Sequence, residues 1–281
     1  MQARNPHISA SSYRQEVPMP KSTSYVAKTP DADGFIAYSA EEDHVWQDLY
    51  AQQAPNVAAH SATPYLDGLA KIDLPTTRVP QCPEISDKLR DMTGWQVEPV
   101  AALIGFKTFF GMLAKRTFPA ASFIRSRADF DYIEEPDIFH EIFGHTPLLT
   151  DPRFAKFSQA IGAAGTQAQK EDYAWLIRLY WFTIEFGLMR EKGTIKALGS
   201  GLASSVTELP YSVSQTPEQR PFDILDILRT PYRIDIHQPV YFVIDDLDVL
   251  FEAAERDLLS LVAEARKLGL HAPKYPQKSV A

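Results

Sequence analysis

Between Asp172 and Arg190 the chain reads DYAWLIRLYWFTIEFGLMR, apolar on nearly every side, with a single carboxylate, Glu185, set deep in it. A helix with no polar face belongs inside a large domain, because a surface helix keeps one solvated stripe. The pattern predicts a long helix over residues 171–190, preceded by another over 152–165. Trp181, Phe182, Ile184 and Phe186 surround Glu185 in sequence, and a buried carboxylate is costly unless a cation or a strong donor meets it. Arg178 is one candidate partner. A metal ion is the other.

The chain has 281 residues, 45% hydrophobic and 23% charged, enough for one large domain or two ordinary ones. A formal charge of -8 without a Lys/Arg stripe argues against a nucleic-acid partner. Cys82 is the only cysteine, which rules out an intrachain disulfide and a thiolate-rich metal cluster and points to a reducing cytoplasm. The first residues lack an apolar signal core, and no run approaches the roughly 18 apolar residues of a membrane span. A cytoplasmic protein with no membrane partner is expected.

Residues 1–35, rich in Ser, Pro and small polar residues, predict a flexible arm or a strap laid over the body. In EEDHVWQDLYAQQ, Val45, Trp46, Leu49 and Tyr50 recur at helical spacing. Residues 63–82 read as irregular. In PEISDKLRDMTGW, Pro83 opens a helix and Gly94 closes it, with Ile85, Leu89 and Met92 on its inner face. Phe106, Phe109, Phe110 and Leu113 mark another amphipathic helix, and ASFIR reads as a short strand. KALGSGLASSVTEL carries small residues that permit close backbone approach, PFDILDILRTPYRIDIHQPVYFVID turns toward strands, and DVLFEAAERDLLSLVAEARKLG reads as a final helix. No repeat, Rossmann glycine fingerprint or P-loop is present. The expected fold is mostly α with short β strands, one catalytic domain over residues 36–281.

The densest chemistry lies in PDIFHEIFGHTP, where His140 and His145 stand five apart instead of the four of a zinc-peptidase His-Glu-x-x-His. On an α-helix such residues are rotated by roughly 140°. Convergence on one ion therefore requires the chain to bend or end between them, which Gly144 and Pro147 would permit, while Pro136 and Asp137 resemble a helix start. Two structural histidines are the plain alternative, weakened by the third candidate ligand, Glu185. Two imidazoles and one carboxylate suit iron(II) with open positions or catalytic zinc, and the affinity order favours zinc, so composition leaves the ion open. Aromatic surroundings favour oxygen chemistry over hydrolysis, since a reactive oxidant must be kept from water. Glu141, adjacent to His140, points away from a shared ion on a helix; it reads as an anchor for another ligand, a water-orienting group or a carboxylate at the helix dipole.

PDIFHEIFGHTPLL, LYWFTIEFGL and KALGSGLASS, together with DHVWQDLY, TGWQVEPV, FIRSRADFDY and HQPVYFV, resemble the catalytic domain of the pterin-dependent aromatic amino acid hydroxylases, most closely the compact bacterial members that act on phenylalanine. The resemblance runs from Glu41 to the region of Tyr275. It implies that His140, His145 and Glu185 hold Fe(II). It places Phe109 against a tetrahydropterin, tetrahydrobiopterin or a relative of it, with the backbone of Val100, Ala102, Leu103 and Ile104 along its edge and Glu141 nearby. It gives the substrate carboxylate to Arg125 and Ser204, with Asp137 holding Arg125, and the substrate ring to Pro136, Trp181 and Phe186, with Tyr132 and Gly201 close by. The implied reaction converts L-phenylalanine, O2 and reduced pterin to tyrosine through an Fe(IV)-oxo oxidant.

Two positions depart from the pattern. Ala102 stands where many relatives have glycine, and Ile133 where animal relatives carry a threonine, which shifts substrate anchoring to Arg125 and Ser204. Trp181 and Ile234 match the phenylalanine enzymes, with tryptophan as the alternative substrate because ring selectivity rests on small energy differences. A noncatalytic protein binding aromatic amino acids or pterin is a further alternative. The regulatory extension and the C-terminal assembly helix of animal relatives have no counterpart here, so a monomer, or at most a weak dimer, is expected.

Overall fold

Ser39 starts the first helix by accepting from the Glu42 amide while the Glu42 carboxylate reaches back to the Ser39 amide, satisfying two of the donors that a helix start leaves without partners. The computed structural model describes residues 25–101, 104–133 and 135–275. Helix α1 (Ala40–His60) is followed by α2 (Thr63–Ile72), α3 (Cys82–Thr93), strand β1 (Gln96–Val100), α4 (Phe106–Ala114) and β2 (Thr117–Ala121). A π-helix, Phe139–His145, runs into the short α5 (Thr146–Leu149), then α6 (Pro152–Gln167), α7 (Tyr173–Tyr180) and a second π-helix, Trp181–Glu185. The remainder comprises β3 (Leu188–Glu191), β4 (Thr194–Ala197), α8 (Ser200–Ser204), α9 (Glu208–Ser212), β5 (Glu218–Pro221), α10 (Ile224–Arg229), β6 (Val240–Ile244), α11 (Asp248–Ala254) and α12 (Leu258–Leu268). The fold is mostly α with short strands, as the periodicities indicate.

The strands form two small sheets. β1 and β2 pair in parallel, Gln96 against Thr117 through Val100 against Ala121. The other sheet has the order β4-β3-β6-β5, antiparallel only between β3 and β4. Trp46, Tyr65, Phe110, Phe139, Phe143, Phe154, Phe157 and Phe182 fill one continuous core. Phe139 stacks on Phe143 at 4.8 Å, so the apolar side of the first π-helix is anchored in that core while its other side is left for chemistry. At the N-terminal side, Tyr25 stacks on Phe123 at 4.6 Å and Ser122 Oγ donates to the Lys28 carbonyl at 2.9 Å.

Several local expectations give way to tertiary pairing. The helix expected over 171–190 stops at Glu185, because Leu188 and Met189 pair with Val243 and Ile244 of β6, and sheet formation overrides a pattern that suits a buried helix equally well. The strand expected in ASFIR lies earlier, at Thr117–Ala121, where the register with β1 is available; the chain then turns off to carry Arg125 toward Asp137. Residues 63–72, expected to be irregular, form α2, with Pro64 in its first turn where a missing N–H costs nothing. The last helix is two, since Asp257 accepts from the Ser260 amide and starts α12 afresh. On α3, Met92 is 39% exposed. Buried Ser86 takes the inner position instead, bonded to both backbone groups of Val97.

Candidate metal centre

The five-residue spacing of the histidines matches the hydrogen-bond span of the element that carries them. A π-helix closes i→i+5 hydrogen bonds, and its wider turn leaves residues five apart far less rotated than an α-helix does; His140 and His145 lie within the single π-helix Phe139–His145. The expected bend at Gly144 is absent. Gly144 serves close approach: a Cβ there would stand 2.7 Å from the Ser200 carbonyl oxygen. Pro147 does not end the chain direction either, since it occupies the first turn of α5.

His140 Nε2 and His145 Nε2 are 3.2 Å apart. Glu185, the last residue of the second π-helix, puts Oε1 at 3.1 Å from His145 Nε2 and Oε2 at 3.7 Å from His140 Nε2. Arg178, the other partner considered for this carboxylate, lies instead over the Trp175 ring at 4.9 Å. His140 Nδ1 is 2.8 Å from Ser204 Oγ, and His145 Nδ1 is 3.5 Å from the Tyr180 hydroxyl. With protons on the two Nδ1 atoms, both Nε2 lone pairs and a carboxylate face one point. Adjacent donors on bonds of about 2.1 Å are roughly 3 Å apart, so the residues present fit a divalent metal ion.

Electrostatics agrees with that use. Burial pushes the His140 imidazolium down to about 4 against the pull of Glu185, keeping the ring neutral and its Nε2 free to coordinate. Burial raises the Glu185 carboxyl, but His145, His140 and the Ser200 hydroxyl outweigh it and hold it down to about 2. Glu141 corrects the helical expectation that it points elsewhere: its Oε2 is 4.0 Å from His145 Nε2, four residues on and on the same face. Burial, then Glu185 and Asp137, push its carboxyl well above the usual range.

Asp137 is completely buried and receives four donors: Arg125 Nε at 2.8 Å, Arg125 Nη2 and the Arg125 amide each at 3.0 Å, and the His140 amide at 3.1 Å. Burial alone would raise its carboxyl, yet the Arg125 guanidinium holds it below the ordinary range. One carboxylate thus ties the guanidinium to the start of the π-helix.

The metal-ligating atoms open into a cavity of about 460 Å³. Val100, Ile104 and Phe109 line one part of it, with Phe109 edge-on to Tyr180 at 5.1 Å; Ala102 and Leu103 lie outside the described residues. Arg125, Tyr132, Pro136, Trp181, Phe186 and Gly201 line it too, as do Glu141 and Ser204. Asp137 sits behind Arg125, off the cavity wall. Four contributors escaped the sequence reading: Tyr180, Tyr232 stacked on Trp181 at 4.3 Å, Phe118 at 4.5 Å from the His145 ring, and Ser200 at 3.3 Å from Glu185 Oε2. Tyr180 adjoins Trp181 in the sequence, and that adjacency is the signal it carries. Tyr232 follows a proline in a loop with no period, and only the fold brings it to the wall.

Gly199 shows how tightly Glu185 is set, for a Cβ there would stand 2.1 Å from the Glu185 carbonyl oxygen. Gly199→Ala is expected to cost about 1–3 kcal/mol in a denaturant titration and to weaken Co(II) binding together with stability. Unchanged stability would show that the Glu185 backbone has room to move.

Residues 1–267 match the family of biopterin-dependent aromatic amino acid hydroxylases. The phenylalanine-4-hydroxylase of Pseudomonas aeruginosa is 49% identical over 261 residues, 93% of this chain and 100% of that protein. The apo structure of the cold-active phenylalanine hydroxylase from Colwellia psychrerythraea superposes with a TM-score of 0.87 at 48% identity, covering 89% of this chain and 97% of that one. The phenylalanine hydroxylase of Chromobacterium violaceum, solved with bound Fe(III), gives 0.81 at 36% identity, covering 86% and 91%. The chain belongs to the biopterin-dependent aromatic amino acid hydroxylase family.

Proposed function

We propose that the protein is a phenylalanine 4-monooxygenase, using Fe(II) and tetrahydrobiopterin or a related tetrahydropterin to convert L-phenylalanine and O2 to L-tyrosine. The observation that carries this reading is the His140, His145 and Glu185 face opening into an aromatic-walled cavity that also holds a buried guanidinium, Arg125. Bound iron and reduced pterin supply the activation of O2. The chain supplies placement and exclusion of water.

In this reading Arg125 presents its remaining N–H edge to the substrate carboxylate, which suits a planar fork, with Ser204 as its neighbour and Asp137 fixing its orientation. Pro136, Trp181 and Phe186, supported by Tyr132 and Gly201, accept the phenyl ring. Phe109 stacks on the pterin, the segment from Val100 through Ala102 and Leu103 to Ile104 borders it, and Glu141 stands between pterin and metal. The Glu141 carboxyl, facing the opening with Oε2 4.0 Å from His145 Nε2, is placed to hold a bridging water. Residues 36–281 are the catalytic domain in this reading and residues 1–35 its arm. We read the protein as a cytoplasmic monomer that serves phenylalanine breakdown; the single, buried Cys82 supports a reducing compartment. Among the described residues no helix is long and apolar enough to cross a membrane.

The test is a product assay with Fe(II), reduced pterin, O2 and each of the three aromatic amino acids. Phenylalanine is expected to give tyrosine, with chelation of iron abolishing it; no tyrosine from iron-loaded protein overturns the reading, and faster turnover of tryptophan reassigns the substrate. Arg125→Lys is expected to raise KM for phenylalanine by about tenfold or more with a smaller change in kcat, since a point charge replaces a bidentate fork. An unchanged KM would remove Arg125 from the carboxylate site.

A further inference from the structure

Gln53 is a 1% exposed amide on α1, an element whose inward positions are otherwise apolar apart from it. A buried amide is costly unless its groups are bonded. Its Nε2 donates to the carbonyls of Ala203 at 2.6 Å and Ser205 at 3.3 Å. Its Oε1 accepts at 3.3 Å from Asn56 Nδ2, which also donates to the Val206 carbonyl at 3.1 Å. The captured carbonyls bracket Ser204 at the C-terminal end of α8, where a helix leaves its last carbonyls without internal partners.

Ser204 Oγ lies 3.2 Å from the Ser200 carbonyl, 3.3 Å from the Gly201 carbonyl and 2.8 Å from His140 Nδ1. A hydroxyl has one proton. Donated to either carbonyl, it leaves the oxygen as acceptor for His140 Nδ1–H, and that tautomer puts the Nε2 lone pair toward His145 and Glu185. We infer that Gln53 is a positioning residue for the metal centre: its amide holds Ser204 in place, and Ser204 in turn holds the ring and tautomer of His140. The inference rests on His140 being a metal ligand, as proposed above, and it assigns to α1 a part in the site that the histidine segment alone does not reveal.

The experiment is Co(II) titration of the metal-free full chain, followed by the visible absorption of the bound ion, for Gln53→Met, Ser204→Ala and the double variant. Met keeps the length and burial of Gln without its amide. Each single change is expected to weaken Co(II) about tenfold, the lower end for groups that orient metal ligands, and the double variant should be no more than about twofold weaker than Ser204→Ala, because the two act along one path. With Fe(II) and pterin, Gln53→Met should also make less tyrosine per pterin oxidised. Wild-type affinity in Gln53→Met, losses that add in the double variant, or an inert Ser204→Ala would each overturn the inference. If Gln53→Met fails to fold by circular dichroism, Asn56→Ala takes its place in the same comparison, with a smaller loss expected and no loss overturning the proposal. Glu185→Gln run in parallel separates the two readings, since wild-type Co(II) affinity there would sink the metal centre itself.

Discussion

Glu185→Gln is expected to bind Fe(II) more than about 100-fold more weakly than the unaltered chain, exceeding the usual loss for a group that only orients a ligand, and to lose tyrosine formation in proportion. Glutamine keeps the shape of the side chain and removes its charge. Charge is what the site uses: Oε1 and Oε2 stand 3.1 and 3.7 Å from the two imidazole Nε2 atoms, and without the carboxylate the cation loses the one charged group that faces both of them, in surroundings too dry to compensate. The fold should persist, since Ile184 and Phe186 on either side remain in the core and the altered residue lines the cavity. Metal titration by calorimetry and a product assay decide the matter. Full iron occupancy together with normal tyrosine yield would remove Glu185 from the metal centre.

Asp137→Ala is expected to lower the unfolding free energy by about 3–5 kcal/mol, the range for stripping one partner from a buried ion pair. The loss has two parts. The Arg125 guanidinium, only 8% exposed, keeps its charge without a counter-ion, and the His140 and Arg125 amides lose the acceptor that satisfied them. Guanidinium chloride titration measures the stability. Kinetics of the folded fraction should show phenylalanine KM raised more than in Arg125→Lys, because the fork is then unsupported as well as unpaired. A loss under about 1 kcal/mol would mean that water or another group replaces the carboxylate, and that the four-donor arrangement contributes little.

The sequence by itself determined which residues had to be explained. A glutamate inside DYAWLIRLYWFTIEFGLMR required a cation or a strong donor, and two histidines five apart argued against the zinc-peptidase geometry; with the other motifs these sufficed for the family and for the predominance of helix. Local pattern was least informative where one residue run suits two structures. Leu188 and Met189 are equally at home in a buried helix and in β3, and only β6, more than fifty residues later, selects the strand. Gly144 looked like a hinge because glycine's freedom is its local signal, whereas its use is to let the Ser200 backbone approach.

Tertiary structure alone decided how the ligands meet. The two π-helices supply the wider turn that aligns His140 with His145 and ends at Glu185, a register that costs hydrogen-bond geometry and persists because the surrounding core holds it. The fold brought Tyr232 against Trp181 and set Gln53 on the carbonyls either side of Ser204. Such contacts join segments far apart in the chain, so no periodicity announces them; they exist because close packing fixes where each side chain can lie.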